Sequence, residues 1–257
     1  MDSGMQTETR HWLLLRGLAR ESGHWGDFIG KLQAAYPNDT ISVIDLPGTG
    51  VYHQQASPSS IPAITEIVRD TARQQGLLAT PVTVFAVSLG AMVAWQWLQT
   101  HPEEIDSAVL VNTSFANLSP VYQRIRWQSF AAFLAVLLQT DIAKRERAIV
   151  ALVSNRSSHY QQTAEQWTAI QQTHPIRFNT FLRQIIAAAR YKPSYNRPSK
   201  AVLLLNSLGD RLVSPNCSLA IKNHYQLPMY SHPWAGHDLT LDDSDWVLAT
   251  LTANWRQ

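Results

Sequence analysis

The sequence predicts an α/β fold: a doubly wound, mostly parallel sheet of about six strands into which an all-helical segment is inserted. Three observations carry this. Short apolar or β-branched runs recur along the 257 residues, and most are separated by stretches with helical periodicity. The runs are continuously apolar, as expected of strands covered on both faces. Between the fourth and fifth runs, from about Phe115 to Arg197, helix follows helix with no credible strand.

In chain order, the strands are expected at Trp12–Leu15, Ile41–Ile44, Val82–Val87, Ala108–Val111, Ala201–Leu205 and Met229–Ser231. The helices between and after them are expected at Trp25 to Ala35, Ile61 to Gln75, Leu89 to Gln99, Pro215 to His224 and Asp243 to Trp255. After the second strand, Asp45-Leu46-Pro47-Gly48-Thr49-Gly50 reads as a Pro-Gly turn in which the Asp45 carboxylate satisfies backbone donors. Pro193 and Pro198 mark the return from the helical segment to the core. The division is thus a core of residues 1–114 and 198–257 and a helical lid of residues 115–197.

With 45% hydrophobic residues, the chain can bury one sizeable core. Cys217 is the lone cysteine, so an internal disulfide framework is excluded; with no zinc-finger spacing either, no metal or other cofactor is expected. Met1 to Arg10 is polar and lacks the basic start and apolar centre of a secretory signal, which implies a cytoplasmic location. The longest apolar run, Phe130 to Leu138, has nine residues, too short to span a membrane, and is expected to hide its faces in protein or against a ligand. Charge is uneven. Residues 115–197 carry 11 of the 21 Lys+Arg but 3 of the 19 Asp+Glu, a local +8 on a chain of net +2. A solvated helical face explains this most simply, and attraction of an anionic partner is the sharper reading. Nucleic acid is not expected, because no recognised binding motif accompanies the charge.

The strand Val82–Val87 ends at Ser88-Leu89-Gly90, directly before a helix, with Ala86 and Gly90 two residues either side of the serine. A strand-to-helix turn this tight strains the serine and tolerates only small neighbours, and it leaves the hydroxyl exposed at the carboxyl edge of the sheet. Alone, the string also fits an ordinary helix N-cap. A serine nucleophile needs an imidazole to take its proton and a carboxylate to hold that imidazole in the right tautomer. The loops after the last two strands offer both: Asp210 lies in Asn206-Ser207-Leu208-Gly209-Asp210, and His237 in Pro233-Trp234-Ala235-Gly236-His237-Asp238. The loop after the fourth strand, Asn112-Thr113-Ser114, offers no carboxylate.

With these residues in that order, the chain from Trp12 to Trp255 resembles the alpha/beta hydrolase family, in particular its serine-nucleophile, helical-lid, carboxylesterase-like members. The resemblance implies Ser88 as nucleophile, His237 as base and Asp210 as acid, with Asp238 a weaker candidate to orient the imidazole. It also implies an oxyanion hole made by the backbone N–H groups of Leu89 and Leu18. The loop carrying Leu18 reads Arg16-Gly17-Leu18, where the family usually has His-Gly, so Arg16 is a departure. Another is the short amino-terminal stretch, since many relatives begin with an antiparallel pair; a trimmed sheet is expected. His24 and Trp25 border the site or pack beneath its loop.

The expected reaction is cleavage of a carboxylic ester or thioester of a small to medium acyl substrate through an acyl-enzyme. Candidate pocket residues are Trp25, Tyr122, Trp127, Phe130, Phe133 and Leu134, with Phe115 also placed where the lid faces the serine. The basic lid adds the expectation of an anionic substrate or carrier. Two other readings use the same scaffold: a lyase that abstracts a proton with the serine–histidine pair, as in menaquinone synthesis, and a ligand-binding receptor.

Overall fold

The computed structural model describes residues 9–255, so most of the Met1 to Arg10 stretch lies outside the described residues. Six strands form one parallel sheet: β1 (His11–Leu15), β2 (Thr40–Val43), β3 (Val82–Val87), β4 (Ile105–Val111), β5 (Ala201–Ser207) and β6 (Met229–His232), in the order β2-β1-β3-β4-β5-β6. Around it lie α1 (Phe28–Ala35), α2 (Ile61–Gln74), α3 (Leu89–Thr100), α9 (Pro215–Tyr225) and α11 (Ser244–Asn254). Between β4 and β5 run α4 (Val121–Arg124), α5 (Phe130–Leu138), α6 (Ile142–Val153), α7 (Tyr160–Thr173) and α8 (Phe178–Arg190), and the short α10 (Leu239–Asp242) follows β6.

The strand side chains alternate between two apolar layers. Leu13 and Leu15 of β1 join Val82, Val84 and Ala86 of β3 in the layer that α2, α3 and α9 cover. Trp12 and Leu14 join Phe85 and Val87 in the layer under α1 and α11. This two-sided burial is why the strands read as unbroken apolar runs. Helix α3 is apolar nearly all round because it is buried nearly all round, with Trp95 packed against Phe115 and Tyr225 at ring-centroid distances of 5.1 and 4.6 Å.

The helices α5, α6, α7 and α8 enclose a third, smaller cluster around Val136, Ile149, Val150, Trp167 and Phe181. One expectation fails here. Helix α5 does not hide its faces: Val136 is buried, but Phe130, Leu134 and Leu138 are 58%, 43% and 66% exposed. Nine residues make too short a helix to be wrapped on every side by a segment with so small a core of its own. Among the described residues, no helix is long and apolar enough to cross a membrane.

Sheet order decides where a ligand sits. The order in which strands are added to the sheet reverses between β1 and β3, which leaves a crevice at their carboxyl ends between the loops Arg16–Arg20 and Ser88–Gly90.

Candidate active site

Ser88 occupies the turn from β3 into α3 with φ 56° and ψ −113°, a strained conformation for a residue with a side chain. Two hydrogen bonds hold it there: its N–H donates to Val111 O at 2.8 Å, and the Thr113 hydroxyl donates to Ser88 O at 2.9 Å. The side chain makes no capping hydrogen bond to α3, so the N-cap position is occupied without employing the hydroxyl. The small neighbour two residues on is a steric requirement. A Cβ built on Gly90 would lie 2.5 Å from Arg16 O and 2.7 Å from Leu15 O, both of them backbone atoms of the facing strand and loop. Gly90→Ala is therefore expected to push α3 off β1, costing about 1–3 kcal/mol and displacing Ser88. Lowered Tm together with lowered ester turnover checks this, and a variant that is equally stable and active would contradict it.

The imidazole and carboxylate come together as expected. His237 Nδ1–H donates to Asp210 Oδ2 at 2.7 Å, which leaves Nε2 as the nitrogen able to accept a proton. Asp210 is buried, and its other oxygen accepts from the N–H groups of Leu212 and Val213 at 2.8 and 2.9 Å, so its charge is held in place. Burial pulls the His237 pKa down, yet the charge and hydrogen bond of Asp210, with the charge of Asp238, outweigh it and leave the imidazole above its ordinary 6.5. Two consequences follow. The ion pair stabilises the fold fully below about 6.5 and its contribution is lost as pH rises through the folded pKa. A reaction needing neutral His237 should have an acid limb in kcat/KM above the ordinary histidine value. In Asp210→Asn that limb should move to lower pH, since burial then acts with less opposition; a limb that stays put would argue against the pairing.

The oxyanion candidates are arranged around the same serine. A Cβ on Gly17 would lie 3.1 Å from Ser88 Cβ, so the Arg16-Gly17-Leu18 loop packs directly against Ser88. Neither the Leu18 nor the Leu89 N–H has a hydrogen-bond partner among the described residues. Loop shape depends on Ala19, at φ 57°, whose N–H donates to Oε1 of Gln184, a fully buried residue of α8, at 2.9 Å.

Arg16 replaces the usual histidine with a different brace. Its guanidinium binds Asp238 through both terminal nitrogens, reaches Thr240 Oγ1 at 3.4 Å, and lies 4.7 Å from the Trp25 ring centroid. Asp238 is thereby committed to Arg16, and the histidine's carboxylate partner is Asp210. Burial pushes the Asp238 carboxyl up, but Arg16, Thr240 and the Leu241 N–H together hold it below its ordinary 3.8.

Sequence reasoning missed several residues that tie these loops together. Asn112, at φ 47°, donates to His237 O at 2.8 Å and Ser207 Oγ at 3.0 Å, and its Oδ1 accepts from Ser207 N at 2.9 Å. It carries no charge and so does not stand out in the sequence as a candidate site residue. An asparagine directly after an apolar strand was the available signal, because it tolerates positive φ and offers both a donor and an acceptor. Asp242, fully buried, accepts from Gly236 N at 2.6 Å and from Ser154 Oγ and Asn155 N at 2.5 and 2.9 Å. Asn155 Nδ2 donates to Gly209 O and Trp234 O at 2.9 and 2.7 Å. The end of α6 is thus bolted to the loops of both Asp210 and His237. Asp45 accepts from Ser22 N at 2.6 Å and Val51 N at 3.1 Å, as its Pro-Gly turn predicted.

Ser88 and His237 line one cavity of about 170 Å³, bounded also by Leu18 and Leu89. Its walls are mainly apolar, with Met92, Val136, Ile149, Trp167, Phe181 and Ile185 among them. Of the candidate pocket side chains, Phe133 lies on this wall. The others do not. Trp25 is buried on the far side of Arg16, stacked with Phe28 at 5.6 Å. Tyr122, Trp127, Phe130 and Leu134 point outward, 59%, 70%, 58% and 43% exposed. Phe115 is buried in the core layer beside α3. Helical spacing identifies an apolar stretch but not its rotation, and the side of α5 that turns inward carries Phe133 and Val136 rather than Phe130 and Leu134. His24 is buried against Trp167 with its Nδ1 accepting from Glu21 N at 3.1 Å, and is not on the cavity wall. The single thiol, Cys217, is buried, and burial drives its pKa up to about 11, so it is no competing nucleophile.

Comparison with known proteins agrees with this architecture. Residues 12–250 match the model of the alpha/beta hydrolase family. No curated protein gives a significant sequence match. Solved structures with a similar fold include a hydrolase from Pseudomonas aeruginosa (15% identity, TM-score 0.76, covering 96% of this chain and 90% of that one). An enol-lactonase from Burkholderia xenovorans is similar at 12% identity and TM-score 0.75, over 98% of this chain and 93% of that one. A thermophilic esterase from Thermogutta terrifontis is similar at 16% and 0.73, over 95% and 88%. Identities this low speak to the fold alone, whereas the family model spans the chain from the first strand into the last helix: the protein belongs to the alpha/beta hydrolase family.

Proposed function

We propose that this hydrolase cleaves a carboxylic ester or thioester of a small to medium acyl substrate through an acyl-enzyme, with Ser88 as nucleophile, His237 as general base and Asp210 as its orienting acid. The observation that carries the reading is the 2.7 Å His237–Asp210 hydrogen bond beside a strained, uncapped Ser88 on the wall of one cavity. In this reading Nε2 takes the Ser88 proton as Oγ attacks the carbonyl carbon, and the resulting oxyanion is met by the unpartnered N–H groups of Leu18 and Leu89. His237 then gives the proton to the departing alcohol or thiol. Water attacks the acyl-enzyme with the same imidazole as base and releases the acid. Residues 115–197 act as the lid, their apolar inner side receiving the acyl chain. A cavity near 170 Å³ suits a short chain, since about 150 Å³ accommodates a benzene ring.

The direct test is reaction with a fluorophosphonate, followed by peptide mass mapping, alongside a panel of 4-nitrophenyl esters and acyl thioesters. Adduct formation on Ser88 with turnover of at least one ester class supports the proposal. Resistance to labelling with no turnover would turn attention to proton-abstraction chemistry by the same pair.

A further inference from the structure

Three arginines line the cavity beside Ser88: Arg16, Arg20 and Arg124. Two are neutralised by buried carboxylates. Arg16 is held by Asp238, and Arg20 Nη1 and Nη2 lie 2.6 and 3.4 Å from the oxygens of Glu146. Asp210, the remaining carboxylate at the site, is occupied by His237 and two backbone N–H groups. Arg124 has no carboxylate partner among the described residues. Its Nε donates to Ser114 Oγ at 3.2 Å, Nη1 to Ala189 O at 2.9 Å and Nη2 to Ala188 O at 2.5 Å. These contacts engage three of the five guanidinium N–H groups and leave two, one on each terminal nitrogen, without a partner among the described residues.

Arg124 is half-buried, and neutral acceptors do not cancel a charge that is partly withdrawn from water. The carbonyls at the end of α8 supply only the partial negative charge of a helix C-terminus. Ser114 belongs to the loop whose Thr113 hydroxyl holds the Ser88 carbonyl, so the cation and the nucleophile share a wall. The backbone on either side of Arg124 is tied to the loop before α9, with Ser214 N donating to Gln123 O at 2.8 Å and Arg126 N to Leu212 O at 2.9 Å. Its own burial depresses its pKa, whereas Arg69, bonded to two carboxylates elsewhere in the fold, is raised.

Resting on the ester-cleaving reading, we propose that Arg124 recognises a carboxylate at the far end of the acyl chain, so that the preferred substrate is a monoester of a short dicarboxylic acid. The apolar walls take the methylene chain and the guanidinium takes its charged end. The carboxylate completes an arrangement that the protein leaves electrically unbalanced.

The test compares mono-4-nitrophenyl glutarate with 4-nitrophenyl pentanoate, matched in chain length, on the wild type, Arg124→Gln and Arg124→Lys. The wild type should favour the charged ester, and the charged-to-neutral ratio of kcat/KM should fall by about 10- to 100-fold in Arg124→Gln, mainly through KM. Arg124→Lys should retain part of the preference, and added salt should raise KM for the charged ester selectively. A ratio that is the same in all three proteins would overturn the proposal, as would equal losses on both esters, which is what a purely structural cap on α8 predicts. Should the wild type hydrolyse neither ester, the ester-cleaving reading fails, and the Arg124 assignment is then judged by calorimetric binding of glutarate. Weaker binding to Arg124→Gln than to wild type supports it; no binding to wild type, or equal binding to both, refutes it.

Discussion

Ser88→Ala is expected to lower kcat on 4-nitrophenyl esters by roughly 10⁴- to 10⁶-fold, with a residual rate still above that in water. Removing a triad serine costs on this scale because the remaining partners act only through it, while the oxyanion donors and the binding site continue to contribute. The backbone of residue 88 is held by its own N–H and C=O, to Val111 and Thr113, and both contacts survive the substitution. The variant should therefore fold with nearly unchanged Tm, and alanine at a positive φ carries the same kind of strain that serine does. Steady-state turnover together with a thermal melt checks both halves. Full activity in a purified, folded variant would remove Ser88 from the mechanism.

Arg16→Met is expected to destabilise the fold by about 3–5 kcal/mol, because Asp238 would be left buried without its partner. Both side chains are at most 5% exposed, so water cannot take the place of the guanidinium without opening the Arg16–Arg20 loop. The sign with pH is distinctive. In the wild type the Asp238 carboxyl lies below its ordinary 3.8, so the pair stabilises above that value and the contribution is lost as pH falls through the folded pKa. In Arg16→Met the upward push of burial acts with far less opposition, so the deficit should be greatest at neutral pH and shrink in acid. Adding Asp238→Leu should restore much of the loss, since exchanging a buried ion pair for apolar side chains is often close to neutral. Denaturant melts of the two single variants and the double variant, at neutral and acidic pH, provide the measurement. Additive losses would mean that the pair is not the brace it is described as.

Much of the site was legible along the chain because its chemistry is tied to strand ends. Ser88, Asp210 and His237 each follow a short apolar run by a few residues, and a parallel sheet delivers every such loop to the same edge. Gly90 was legible for a steric reason that the 2.5 Å approach to Arg16 O makes concrete. The cavity wall was not legible. Tyr122, Trp127, Phe130 and Leu134 share the α4–α5 stretch with Phe133 and Val136, but of these only the latter two line the cavity. Which side of a nine-residue apolar helix turns inward depends on its neighbours, here α6 and α8, and leaves no trace in a segment that is apolar on every side.

Partnership was equally hidden. Arg16 and Asp238 stand 222 positions apart, and Arg20 and Glu146 126 apart, so neither pair could be read as a pair. In the sequence Arg124 is one unit of a basic excess; what sets it apart is that, among the described residues, it lacks the carboxylate that the other two cavity arginines possess. The sequence by itself determined the order of strands and helices, the covered sheet and the three residues of the candidate triad, because these follow from local periodicity and turn chemistry. Only the tertiary structure decided which charges cancel, which aromatic rings line the cavity and how the end of α6 is tied to the loops of Asp210 and His237. Those are outcomes of long-range packing, in which residues far apart in the chain compete for the same few buried contacts.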